Sequence, residues 1–184
     1  AITLAVMSHE AFHQYCHFLF DEAEAHRWFD EGQGDYYGAH DFSGRKPKVT
    51  KHMPGGLDRL PGVKAMLREG SLIPIDSLIH MDHEAWYANN SSYHGVASYC
   101  QSWALMYFLR QGMDGKVARK YWKKEYADIV PHYTKHLFAG FAEARAQNEK
   151  EFEKKLEAGG GENNFDSDTL KRLRSAIHRV GEET

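Results

Sequence analysis

Residues 93–111 constrain the fold more than any other stretch of the chain. Val96, Tyr99, Cys100, Trp103, Leu105, Met106, Phe108 and Leu109 wrap most of the surface of a helix built there. A helix that is apolar on most sides has to be covered on most sides. The segment therefore predicts a central core helix with other helices laid around it.

The rest of the chain supplies those helices. Across 2–26, apolar residues at Leu4, Val6, Met7, Ala11, Phe12, Cys16, Leu19 and Phe20 suit an amphipathic helix. Residues 29–39 and 57–69 read as two more, separated by a Gly-, Lys- and Pro-containing surface loop over 41–56. Pro74 breaks 71–90 into short helical turns, and a helical pattern at 117–130 leads into a Pro131-initiated helix that runs to Glu143 or beyond. Little reads as strand, so the expected fold class is mainly α. The tract Gly159, Gly160, Gly161 marks a flexible link into a basic helix at 167–180. The expected division is a helical domain over 1–158 and a Gly-rich linker with its C-terminal helix over 159–184.

Composition narrows the partner. A formal charge of -3 over 184 residues does not fit a dedicated nucleic-acid binder. No apolar run reaches the roughly 20 residues that span a bilayer, and no signal-peptide pattern is visible at the start. Cys16 and Cys100 are expected as buried small hydrophobes rather than a disulfide.

Chemistry is concentrated near the start. His9-Glu10-Ala11-Phe12-His13 is an H-E-x-x-H motif on a segment already read as helical. Two imidazoles four residues apart lie on one helical face and can bind one zinc ion together, and the intervening glutamate is placed to take a proton from a water there. A catalytic zinc site needs a third protein ligand. Glu31, in Trp28-Phe29-Asp30-Glu31-Gly32, supplies a carboxylate after enough chain to turn and bring a second helix back, with Gly32 and Gly34 permitting close approach. Asp35, one turn beyond Glu31, is placed to accept a hydrogen bond from the far nitrogen of a ligand histidine. His17, the His80 and His83 pair and the His132 and His136 pair read as surface histidines or, for His17, a group beside the site.

The pairing of H-E-x-x-H with W-x-x-E-G resembles the gluzincin metallopeptidases, whose zinc ligands are the two histidines and the downstream glutamate. On that resemblance His9, His13 and Glu31 hold the metal, Glu10 is the general base, and Asp35 supports a ligand histidine. Tyr99-Cys100-Gln101-Ser102-Trp103 is similar to a helix of the peptidase-MA-like gluzincins, which gives Tyr99, with Tyr93 as its substitute, the task of hydrogen-bonding the oxyanion. The resemblance covers about 9–152 and implies a zincin-like fold, a Zn2+ cofactor, a peptide or protein substrate and zinc-dependent peptide hydrolysis. It also implies a β-sheet ahead of the zinc helix, expected upstream of Ala1 if the chain is an excerpt of a longer protein. The alternative is a zincin-derived binding or structural module that keeps the metal without cleaving peptides.

Overall fold

The computed structural model describes residues 2–54, 57–90 and 96–178. These are mainly helical: α1 (Ile2–Leu19), α2 (Arg27–Gly38), β1 (His40–Asp41), β2 (Lys48–Val49), α3 (Leu60–Glu69), α4 (Ile75–Ile79), α5 (His83–Asn90), α6 (Ala97–Met113), α7 (Ile129–Ala158) and α8 (Ser167–His178). The two short strands pair antiparallel, His40 opposite Val49, inside the expected surface loop. Tyr93 and the start of the expected core helix lie outside the described residues, as do residues 179 and 180 of the expected last helix. No described helix is long and apolar enough to cross a membrane.

The chain divides into two compact units, residues 1–16 with 26–130, and residues 17–25 with 131–184. In the first unit α6 is the core helix, burying Cys100, Ser102, Trp103, Met106 and Leu109 among others. Helices α2, α3 and α5 pack against it. The approach of α2 depends on Gly32, where a Cβ would stand 2.8 Å from the Ser102 carbonyl oxygen. Any larger residue there would push the two helices apart. Pro61 sits in the first turn of α3, where its missing N–H costs nothing, and Gly70 closes that helix with φ 65°. Asp58 Oδ1 accepts from the Leu60 N–H at 3.2 Å, so α3 begins at Leu60 rather than at Leu57.

The stretch 117–130 departs from its helical pattern. Over 117–128 only a 3-10 turn forms, at Lys124–Asp128, and Ile129 and Val130 open α7. Packing explains the change: Trp122 covers Gly112 of α6, and its ring meets Phe108 and Tyr126 with centroids 5.5 and 5.7 Å away. The aromatic contacts hold the segment in turns that a regular helix could not follow. Both cysteines are buried free thiols.

In the second unit Phe20 packs between Phe138 and Phe141 of α7, with centroids 5.1 and 5.6 Å away. Asp21 and Glu22 both take left-handed φ values, 54° and 69°, which stops α1 at Leu19 instead of His26. The Arg145 guanidinium steadies that turn by donating to the Phe20 carbonyl and, at 2.6 Å, to the Asp21 carbonyl. The Asn148 amide of α7 donates to the Ile177 carbonyl of α8 at 3.3 Å.

Candidate metal centre

Three side chains from two helices converge in the first unit. His9 and His13 stand one turn apart on α1, and Glu31 reaches them from α2. The two Nε2 atoms are 2.8 Å apart, and Glu31 Oε2 lies 3.3 Å from that of His9 and 3.6 Å from that of His13. A triangle with those sides has its centre about 1.9 Å from each corner, close to the 2.0–2.2 Å bonds that zinc makes to imidazole and carboxylate. The three residues could hold a metal ion.

The far side of each ring is also engaged. Asp35 Oδ1 lies 3.1 Å from His9 Nδ1, and Asp30 Oδ2 lies 2.8 Å from His13 Nδ1. A carboxylate beside each Nδ1 favours a proton on that nitrogen, which leaves the Nε2 lone pair for the centre of the triangle. The carboxylates around the two rings favour positive charge there. Burial opposes charging His9, yet Asp35 and Glu31 outweigh it and raise its pKa to about 9. Burial likewise opposes charging His13, and Asp30 and Glu31 raise it to about 10. Two Nε2–H groups cannot face each other at 2.8 Å, however, so the contact accommodates one proton between the rings rather than one on each. Glu31 is pushed up by burial and pulled down further by His13 and His9, to about 2, and stays ionised.

A second ring of contacts orients these groups. Asp35, only 1 % exposed, receives Arg59 in a fork, Nε to Oδ2 at 2.7 Å and a terminal nitrogen to Oδ1 at 3.2 Å. The Arg59 guanidinium lies 5.1 Å from the centre of the Tyr99 ring. The Tyr99 hydroxyl donates to Glu31 Oε1 at 3.3 Å, and Arg27 stands 3.8 Å from the same oxygen. Burial and then the Glu31 charge push the Tyr99 phenol up to about 12, so it remains a donor at neutral pH. Arg59 thus touches both Asp35 of α2, which backs His9, and Tyr99 of α6, which donates to Glu31. Gly34 lets α2 close on α1, since a Cβ there would stand 3.0 Å from the His9 ring.

Of the residues singled out in the sequence, His9, His13, Glu31, Asp35 and Tyr99 come together. Glu10 is exposed on α1 beside His9, and His17 is exposed outside the cluster. His80, His83, His132 and His136 are exposed as well. Asp30 and Arg59 were missed. Asp30 was open to notice as the second carboxylate of a pair facing two histidines. Arg59 lies just ahead of α3 and carried no motif. Cys16 is near Asp30, and burial followed by that carboxylate pushes its thiol up to about 12, which keeps it unreactive.

No curated protein matches the chain, and no solved structure matches it. The family described as "Protein of unknown function (DUF1570)" matches residues 3–125, which hold every residue of the cluster and its supports, and the chain belongs to that family.

Proposed function

We propose that His9, His13 and Glu31 hold zinc, and that the chain is a zinc-dependent hydrolase of peptide bonds with a zincin-like arrangement of α1 and α2. The observation that carries the reading is the convergence of two Nε2 atoms and one carboxylate oxygen, each imidazole backed by its own carboxylate. Zinc bound there would polarise a substrate carbonyl and acidify water. Glu10 takes the proton of the attacking water and delivers it to the amide nitrogen as the C–N bond breaks. Tyr99 turns its hydroxyl from Glu31 Oε1 to the oxyanion and, with a pKa near 12, donates without losing its proton. The motif pair H-E-x-x-H and W-x-x-E-G, similar to that of the gluzincins, supports the same assignment.

Elemental analysis should find one zinc per chain, lost in Glu31→Ala. A peptide library should be cleaved by the native chain and left intact by Glu10→Gln, which keeps its zinc. Undiminished cleavage by Glu10→Gln would overturn the mechanism. A second reading, a metal-holding binding module, is favoured by the apolar residues Ile2, Leu4 and Met7 of α1, which are 53, 51 and 61 % exposed. It predicts zinc without cleavage in either protein.

A further inference from the structure

A cavity of about 510 Å³ opens in the first unit, between the segment after β2, α3 and α6. Its size is that of a site for a side chain or a small ligand, which typically spans roughly 300–1,000 Å³. Leu60, Val63, Trp103 and Tyr107 give it an apolar lining, and the last two rings stand 5.3 Å apart as one aromatic wall. Lys51 and Lys64 line it too, both exposed and neither in an ion pair among the described residues. His52, the other basic residue there, is held by Asp58 at 2.6 Å. No carboxylate lines the cavity among the described residues. Its chemistry is an apolar space beside two uncompensated positive charges.

Two lines of chain link the cavity's lining to residues that support the candidate metal centre. Leu60 directly follows Arg59, whose guanidinium holds Asp35. On α6, Trp103 and Tyr107 lie one and two turns beyond Tyr99, which donates to Glu31. Those turns amount to roughly 6 and 12 Å of helix rise, and two extended residues of a peptide cover about 7 Å. A peptide that lay beside Tyr99 would therefore have the length to place a flanking residue at this cavity.

We propose that the cavity binds the C-terminal residue of a peptide, taking its apolar or aromatic side chain between Leu60, Val63, Trp103 and Tyr107 and its carboxylate against Lys51 and Lys64. The ligand class rests on the peptide-hydrolase reading above, and the test therefore reads binding without turnover. N-acetyl-alanyl-phenylalanine, its C-terminal amide and 3-phenylpropionate are titrated calorimetrically into the zinc-loaded Glu10→Gln chain. The acid should bind about fivefold tighter than the amide, the contribution of one or two exposed ion pairs. Lys51→Gln combined with Lys64→Gln should erase that difference. Ala104→Phe, which fills the cavity from α6, should weaken both peptides while melting temperature and zinc content stay unchanged. Equal affinities for acid and amide, or binding untouched by Ala104→Phe in a folded, zinc-loaded chain, would overturn the proposal. Binding of 3-phenylpropionate as tight as that of the peptide would overturn its peptide ligand. Absence of cleavage by the native chain would instead count against the hydrolase alone.

Discussion

Asp30 Oδ2 lies 2.8 Å from His13 Nδ1, although Asp30 directly precedes Glu31, which could hold a metal with His9 and His13. One turn of α2 thus supplies a carboxylate to each end of the same imidazole, Asp30 at Nδ1 and Glu31 at Nε2. His9 is treated the same way from one turn further on, by Asp35 and Glu31. Helix α2 therefore places a carboxylate beside both nitrogens of each histidine.

Asp30→Asn keeps the shape of the side chain and removes the charge that fixes the His13 ring. Zinc affinity is expected to fall about 10- to 100-fold, as it does when a ligand histidine loses its carboxylate partner. Competition with a chromophoric chelator measures it, and far-ultraviolet circular dichroism should show an unchanged helix content. An affinity equal to the native value would mean that Asp30 does not orient His13.

Arg59→Met leaves Asp35 as a buried carboxylate without its guanidinium. Removing one partner of a buried pair costs about 3–5 kcal/mol, and that loss should appear as a lowered midpoint in urea denaturation. Arg59→Lys keeps the charge but not the two-pronged fit to Asp35, so it should recover part of the stability and less of the zinc affinity. Full recovery of both by lysine would show that only the charge matters.

Much of this site was legible in the sequence because helical spacing fixes direction: His9 and His13 four apart must share a face, and Glu31 and Asp35 four apart must share another. The core helix was legible for the same reason, since Cys100, Trp103, Met106 and Leu109 repeat with the helical period and are buried. What escaped depends on tertiary contacts. Arg59 precedes α3 in an irregular stretch with no period, and only the packing of α3 on α6 carries it to Asp35. The failure of 117–128 to become a regular helix arises likewise from the fit of Trp122 over Gly112, which no local pattern announces.

Gly34→Ala tests how closely α1 and α2 must approach. The added methyl would stand 3.0 Å from Cε1 and from Nδ1 of His9, tighter than ordinary contact. Because Nδ1 is the atom paired with Asp35, the ring has to turn and Nε2 leaves the triangle. Zinc affinity should drop by roughly tenfold, in line with a disturbed ligand orientation. Alanine is a better helix former than glycine, so the metal-free chain should not lose stability from propensity. A native affinity in this variant would show that the two helices have slack at the site.

The pH dependence of stability should differ in sign with and without metal. In the metal-free chain the histidine pKa values are raised above 6.5, to about 9 and about 10. The contribution of the one proton that the two rings share is therefore fully present below about pH 6.5 and is lost as the pH rises towards 10. Glu31 is lowered from 4.5 to about 2, so its contribution is present above pH 4.5 and is lost as the pH falls towards 2. With chelator present, melting temperature should peak between about pH 4.5 and 6.5 and decline on both sides. Zinc needs the Nε2 lone pairs that the proton occupies, so its binding strengthens as the pH rises through the same range. At a thousandfold excess over the dissociation constant it should add about 4 kcal/mol, or roughly 10 °C. The zinc-loaded and chelator-treated curves, followed by calorimetry from pH 5 to pH 10, should separate progressively above about pH 6.5. Curves that coincide throughout would mean that protons, and not a metal, are what this cluster was built to hold.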